Sequence, residues 1–570
     1  MIAIYVDRNL KKFEDKIKFT FDFIFNTLGY EYNYVHSLDQ IKRNDIIFFY
    51  SLIEPTIKEA YILALNKILF YIPVFPELLQ SGKMTKKDVE KFTNIIKLIK
   101  KIPVLNKKEI KVPFQYHQNS DLYYGIYKFD LIGNIFFNLH TSNTIDGVKR
   151  DELGWITDDD VPFFGFHQEP YVNILLWLLE NCILDSLKHN GRTFLVKKAY
   201  WPSAEVFANS FSYNIDKLQK WTLKSMVTSS LEDALIFYKF KYVFNNFISK
   251  IKYLLTNIEE YWNFEIITQI ENLHQVVGTF FFGTGSEEKN DIDYSIENKE
   301  VHKELMEYKV RGDEIALLAS VNAGKKDILH KQKKKLLLIT SEESLGVRHN
   351  HCNYDPKLSY EYHRKNGFIY NSSFGFHNKN GFKHGFGFPY YQMGYHNEDT
   401  VRNFSWHSLE LPVNFFDEHL KLSRSSIIPF ETAKDIVDQL IDSIEVVNGL
   451  VTWNFSNSNF DEIKYNKELL NYIIEQIRPK KVFIATLMQI AQWWRKRETI
   501  EIFESEERFY IYFPSKTDKF SITIFGNFEI DKVNYAEAEI SENNIYFSNV
   551  KLDSKIEVSL RRKENSEDVV

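Results

Sequence analysis

The stretch Trp201-Pro-Ser-Ala-Glu-Val-Phe-Ala-Asn-Ser-Phe-Ser-Tyr-Asn-Ile-Asp216 constrains this chain more than any other. Proline disfavours helix at the residue before it, so Trp201-Pro202 marks a turn. Residues 206–211 then read as a short buried strand. The strand stops in Ser212-Tyr213-Asn214-Ile215-Asp216, a polar cluster. Polar side chains at the carboxyl end of a parallel strand are where α/β folds place their chemistry. Further strand patterns follow at 278–282 and 312–320, with helical patterns at 218–226, 234–258 and 299–308. That alternation implies a parallel sheet.

A chain of 570 residues exceeds one core, and about three domains are expected. The amino-terminal part, residues 1–120, reads as a small α/β domain. Strands fall at 2–6, 45–50 and 68–73, and a helix at 13–28 ends at Gly29. A basic amphipathic helix at 86–101 reads as a solvated face. Residues 121–200 form a helical connector, with helices opening at Phe129 and Pro170. Its Asp151 and Asp158-Asp-Asp160 lack the ligand rhythm and glycine of a calcium loop and read as solvated. Residues 201–460 hold the alternating strands and helices. In residues 461–562, helices at 467–477 and 482–496 precede a period-two stretch, a small antiparallel β module. The charged tail 563–570 reads as disordered.

The formal net charge of -6 gives no reason to expect nucleic acid. Two cysteines, Cys182 and Cys352, make no disulfide framework and fit a reducing compartment. The first residues show no leader pattern, and no window approaches a membrane span, so a cytoplasmic protein is expected. The 48 Phe read mainly as core filling.

The anchor stretch resembles the first motif of the polysaccharide deacetylase family, carbohydrate esterase family 4. In a large bacterial subgroup with an extra amino-terminal domain that motif reads Trp-Pro, Phe-Ala, then Thr/Ser-His-Asp-Val-Asp. The resemblance implies a deformed β/α barrel over residues 201–460, a general base at Asn214 and a metal-binding carboxylate at Asp216. The second motif, Glu-Ile-Gly-Leu-His-Pro-Ser-Tyr, matches Glu314-Ile-Ala-Leu-Leu-Ala-Ser-Val321 and puts Leu318 at a metal-binding histidine. Gly346-Val-Arg-His-Asn-His-Cys-Asn-Tyr354 resembles Gly-x-Arg-Gln-His-Tyr-Leu-Arg-Phe. It keeps Arg348, which in the family orients the catalytic carboxylate, and puts Asn350 at the histidine, flanked by His349 and His351. Gly367 to Gly375 and Gly381-Phe-Lys-His-Gly385 match two further glycine frames, with Asn371, Lys383 and His384 inside them. Leu409-Glu-Leu-Pro-Val413 and Asp417 follow the family's order. The last motif carries the acid for the leaving amine, and its position holds Asn454.

Scaffold residues are thus kept while base, metal histidine and acid become Asn, Leu and Asn. Leucine has no lone pair for a metal, and an amide takes no proton from water near neutral pH. The resulting expectation is a catalytically degenerate protein of a bacterial surface-polysaccharide pathway, with no cofactor. It would bind a carbohydrate, a nucleotide-sugar intermediate or a protein partner through the old cleft. The rival is an active deacetylase with displaced ligands, binding zinc or another divalent metal through Asp216 with His349, His351 or His384. If residues 349–351 formed a strand, His349 and His351 would share one face. In the degenerate reading, Leu318 and Tyr213 close the former pocket, and Arg348 or backbone amides hold Asp216.

Overall fold

The computed structural model of the chain describes residues 1–37, 40, 46–63, 67–80, 114–119, 122–141, 167–189, 193–222, 225–230, 240–256, 259–286, 288, 291–324, 326–353, 356–392, 408–423, 426–505, 507–534 and 537–563. The basic helix expected at 86–101, the aspartates at 151 and 158–160, and the tail from 564 lie outside these residues.

Strands β1 (Ile2–Val6), β2 (Tyr32–Val35), β3 (Ile46–Ser51), β4 (Lys67–Pro73), β5 (Phe114–Asn119) and β6 (Leu122–Tyr127) form one sheet. Its order is β2-β1-β3-β4-β6-β5, parallel except for the β5–β6 hairpin. Ile46-Ile47-Phe48 and Ile68-Leu69-Phe70 are buried without a break, as strands covered on both faces must be. The helix Glu14–Leu28 ends at Gly29, whose φ of 85° makes a left-handed cap.

β7 (Phe194–Lys198) leaves the connector and joins the distant β module. The second sheet contains β8 (Phe207–Ile215), β9 (Gly278–Phe282), β10 (Glu314–Ala319), β11 (Val347–His349), β12 (Tyr370–Asn371), β13 (Tyr390–Tyr391), β14 (Leu409–Glu410) and β15 (Phe415–Phe416). A small hairpin, β16 (Lys421–Ser423) and β17 (Ser426–Ile427), stands apart, and β18 (Leu450–Ser456) and β19 (Val482–Ile484) complete the sheet. The order is β13-β14-β12-β11-β10-β9-β8-β18-β15, with β19 also on β8, and every pairing but β13–β14 is parallel. This is a curled half-barrel in which β8 pairs with three strands, β9, β18 and β19. Its floor is closed where Glu314 accepts from Tyr370 Oη at 2.5 Å, Thr279 Oγ1 at 2.9 Å and Met488 N at 2.8 Å. Gly346 makes room for that tyrosine, since a Cβ there would stand 1.9 Å from its ring.

Two local expectations need correction. Residues 482–496 are not one helix. Val482–Ile484 pairs in parallel with β8, and the helix Leu487–Thr499 starts after a Thr486–Gln489 capping box. Residues 218–222 are not helical either; Asp293 accepts from the Leu218 and Gln219 amides and holds this segment as a loop.

The β module comprises β20 (Glu501–Glu504), β21 (Arg508–Phe513), β22 (Phe520–Gly526), β23 (Phe528–Asn534), β24 (Ala538–Ser541), β25 (Asn544–Phe547) and β26 (Ser554–Arg562). They form two sheets, β20-β21-β26-β23 and β24-β25-β22-β7. Phe509, Ile511 and Phe513 alternate inward, as the period of two requires. Among the described residues, no helix is long and apolar enough to cross a membrane.

Candidate functional site

Residues paired in register on neighbouring strands share a sheet face. The pairings Ser212↔Thr279, Asn214↔Phe281, Leu318↔Arg348, Ser212↔Asn454 and Asn214↔Ser456 therefore put these side chains on one face. They stand toward the carboxyl ends of the strands, the chemically active rim of such a fold.

Arg348 is the centre. It is fully buried, with its guanidinium 4.0 Å over the Phe281 ring. Nε donates to Ser372 O at 2.7 Å and Nη2 to Ser372 Oγ at 3.0 Å. Nη1 donates to Ser212 Oγ at 2.9 Å, to Asn214 Oδ1 at 3.1 Å and to Asn454 Oδ1. Every acceptor is neutral, and among the described residues no carboxylate forms an ion pair with it. Burial pulls the guanidinium down to about 10, so it remains cationic at neutral pH.

Asp216 follows directly after β8 and is nearly buried. Its Oδ1 accepts from Ser456 Oγ at 3.0 Å. The expectation that Arg348 or backbone amides hold this carboxylate is corrected: the arginine is occupied by the two asparagines, and a hydroxyl serves Asp216. Tyr213 is also misplaced by the sequence reading. Alternation turns it to the opposite face, where it stacks on Phe280 at 4.6 Å. Leu318 is fully buried on the site face, beside Arg348 in register.

The histidines do not converge. β11 ends at His349, which points to the opposite face and meets His363 with Nε2···Nε2 at 2.9 Å. Burial pulls His349 down to about 4 and His363 well below its usual value. Residues 350–352 form a 3-10 turn instead of continuing the strand, and His351 and Cys352 take φ of 53° and 52°. His351 is exposed, while Asn350 donates from Nδ2 to Asp291 Oδ1 at 2.8 Å. Lys383 is buried, with its ammonium 5.2 Å over Phe374. His384 lies in the turn Lys383–Gly385, and its side chain is outside the described residues.

The divalent metal implied by the family likeness does not fit the described residues. Leu318 supplies no lone pair, Asp216 is hydrogen-bonded to a serine, and His349 faces away. Among the described residues no three His, Cys, Asp or Glu side chains gather as a ligand set.

Around the rim stand ion pairs. Lys220 meets Glu260 at 2.7 Å and also Asp461, and Lys421 meets Glu418 and Glu462 at 2.7 Å each. Asp417 accepts from Ser456 N at 3.1 Å, Asn459 Nδ2 at 2.8 Å and Asn466 Nδ2 at 2.7 Å. Burial pushes its carboxyl up to about 7. Sequence reasoning missed Ser372, Ser456, His363 and Phe281. Strand parity counted from Asn454 would have brought out Ser456, two residues on along β18.

No protein-family model matches the chain, and none of the curated proteins does. Among solved structures it is similar to a probable polysaccharide deacetylase from Pseudomonas aeruginosa PAO1, with 12% identity, a TM-score of 0.34, and 52% of this chain and 93% of that chain covered. It is also similar to Puue allantoinase, with 13% identity, a TM-score of 0.33, and 52% and 92% covered. The half-barrel described above rests on its strand order and register alone.

Proposed function

We propose that the chain is a polysaccharide deacetylase-like protein of a bacterial surface-polysaccharide pathway that has given up hydrolysis and acts by binding. The ligand is a glycan or a nucleotide-sugar intermediate, taken up at the carboxyl ends of the half-barrel strands. One observation carries this reading. Arg348 is joined to Asn214 and Asn454, the two positions where the family likeness implies a base and an acid. An amide oxygen held by a guanidinium accepts hydrogen bonds but takes no proton, so neither position supports general acid–base catalysis. A carboxamide suits the hydroxyl and acetamido groups of a sugar, and half-buried Asn214 is the member of the network open to one, with Arg348, Ser212 and Asn454 buried behind it.

The experiment is saturation-transfer NMR on the purified chain with acetylated amino-sugar oligomers and with a nucleotide sugar. Transfer to one of these ligands is expected, and Asn454→Ala should weaken it. Absence of transfer to both would overturn the binding reading.

A further inference from the structure

We infer that the amino-terminal domain carries a second binding site, a pocket at the carboxyl ends of β1 and β2 that takes a nucleoside monophosphate. The inference stands on this pocket alone and holds whatever the half-barrel binds.

The pocket has a volume of about 260 Å³. It lies between the first sheet and the segment that follows β1, the 3-10 helix Arg8–Phe13 and the first turns of the helix Glu14–Leu28. Ile4 pairs with Tyr34 in register, so Ile4, Val6, Tyr34 and His36 share one sheet face. The chain passes from β1 out to β2 and then back across β1 to β3, so the strand order turns at β1. In doubly wound sheets ligands sit outside the carboxyl ends of the strands at such a turn. Arg8 just after β1 and His36 just after β2 mark that place here.

The charges of the lining select an anion. Arg8, Lys11 and Lys18 stand against Asp7 and Glu14, and both carboxylates are already engaged. Glu14 meets Lys18 at 2.5 Å. Asp7 accepts from Asn9 N and from Ser51 Oγ, each at 2.9 Å. Arg8 and Lys11 are exposed, and among the described residues neither has a carboxylate partner. Arg8 Nη2 donates to His36 O at 3.3 Å, which lays the guanidinium across from β1 to the end of β2. Side chains three positions apart in a 3-10 helix eclipse, so Arg8 and Lys11 stand in one line. Two cations so placed suit a doubly charged phosphate better than a single carboxylate.

The rest of the lining selects the body of the ligand. Ile4, Val6 and Leu10 are apolar. Tyr34 adds a ring whose hydroxyl is spent on Lys18 O at 3.0 Å and Asp22 Oδ1 at 2.8 Å. A phosphate ion alone would leave this surface wet, and a flat base would cover it. Small-ligand pockets run upward from about 300 Å³, so this one has room for a mononucleotide and not for a dinucleotide or a polymer.

Isothermal titration calorimetry of the full chain with AMP, GMP, CMP and UMP is the test. Stoichiometric binding of at least one is expected, with the matching nucleoside and inorganic phosphate each bound about tenfold more weakly or worse. Arg8→Gln with Lys11→Gln, both at exposed positions, should leave circular dichroism unchanged and weaken the nucleotide about tenfold or more. Bound nucleotide should slow amide exchange at residues 4–18 and 32–36. The inference is overturned if none of the nucleotides binds, if inorganic phosphate binds as well as they do, or if the double variant binds like the parent chain. It is also overturned if the protection appears around Asn214 and Ser456 instead.

Discussion

Removing the Arg348 guanidinium would leave Ser212, Asn214, Asn454 and Ser372 without the donor they share. Buried acceptors stripped of a charged donor are costly, so Arg348→Met should destabilise the chain by about 3 kcal/mol in urea unfolding. A loss below about 1 kcal/mol would refute the network. Asn214→Asp should have the opposite sign. It gives a buried cation a counter-charge, and its folded pKa would fall below the unfolded value of about 3.9. The added stability, about 1 kcal/mol, should therefore be present above pH of about 4 and vanish as pH falls through the folded pKa. Destabilisation at neutral pH would contradict this. The frames around Asn214, Arg348 and Asn454 were legible in the sequence because scaffold glycines and tryptophans mark them. Their union was not, since the guanidinium reaches acceptors 134 and 106 positions away. Tyr213 was misjudged for want of a parity count, which sends it to the face opposite Asn214.

The histidine pair ties β11 to the helix Pro356–Lys365 and makes that contact sensitive to acid. Both imidazoles are held neutral by burial. An unfolded histidine titrates near pH of about 6.5, so below that pH the unfolded chain binds protons that the fold refuses. The stability from each ring is full above that pH and is lost as pH falls toward about 4 for His349. His363→Leu should flatten this limb by about 1.4 kcal/mol per pH unit between pH of about 6 and 5. An unchanged slope in urea titrations would dispose of the idea. Buried carboxyls act the other way, because Glu410 is pushed up to about 8 and Asp417 to about 7. The fold keeps their protons above the unfolded carboxylate range, so their contribution declines as pH rises toward those values. Element types were legible wherever periodicity was long, as in the helices Glu14–Leu28 and Lys299–Arg311. The short run at 482–484 was not, because three apolar residues read equally as strand or helix. Nor does periodicity tell which side a helix shows to solvent, and Phe240–Thr256 turns its apolar side out.

Across the whole molecule, Arg497 joins three parts of the chain. It is buried at the end of the helix Leu487–Thr499 and donates to Asn26 O at 2.6 Å, Thr27 O at 3.1 Å, Ala199 O at 2.7 Å and Lys198 O at 3.3 Å. These acceptors belong to the end of the first helix and to the chain around β7. Gly29 is required beside it, since a Cβ there would lie 2.3 Å from Nη2. Arg497→Met should cost about 3 kcal/mol and speed amide exchange at residues 25–31; unchanged exchange would show that the junction holds without it. The period-two β module was legible from residue 500 onward, but not the pairing of β7 with β22, because no local pattern connects strands so distant in sequence as Phe194–Lys198 and Phe520–Gly526. The central claim is that the strand ends bind without hydrolysing. Acetate release from an acetylated amino-sugar oligomer, with zinc or cobalt added to the purified chain, tests it most directly. The account predicts no release above buffer and no metal retained after dialysis. Release that depends on a stoichiometric metal and disappears in Asp216→Ala would contradict it.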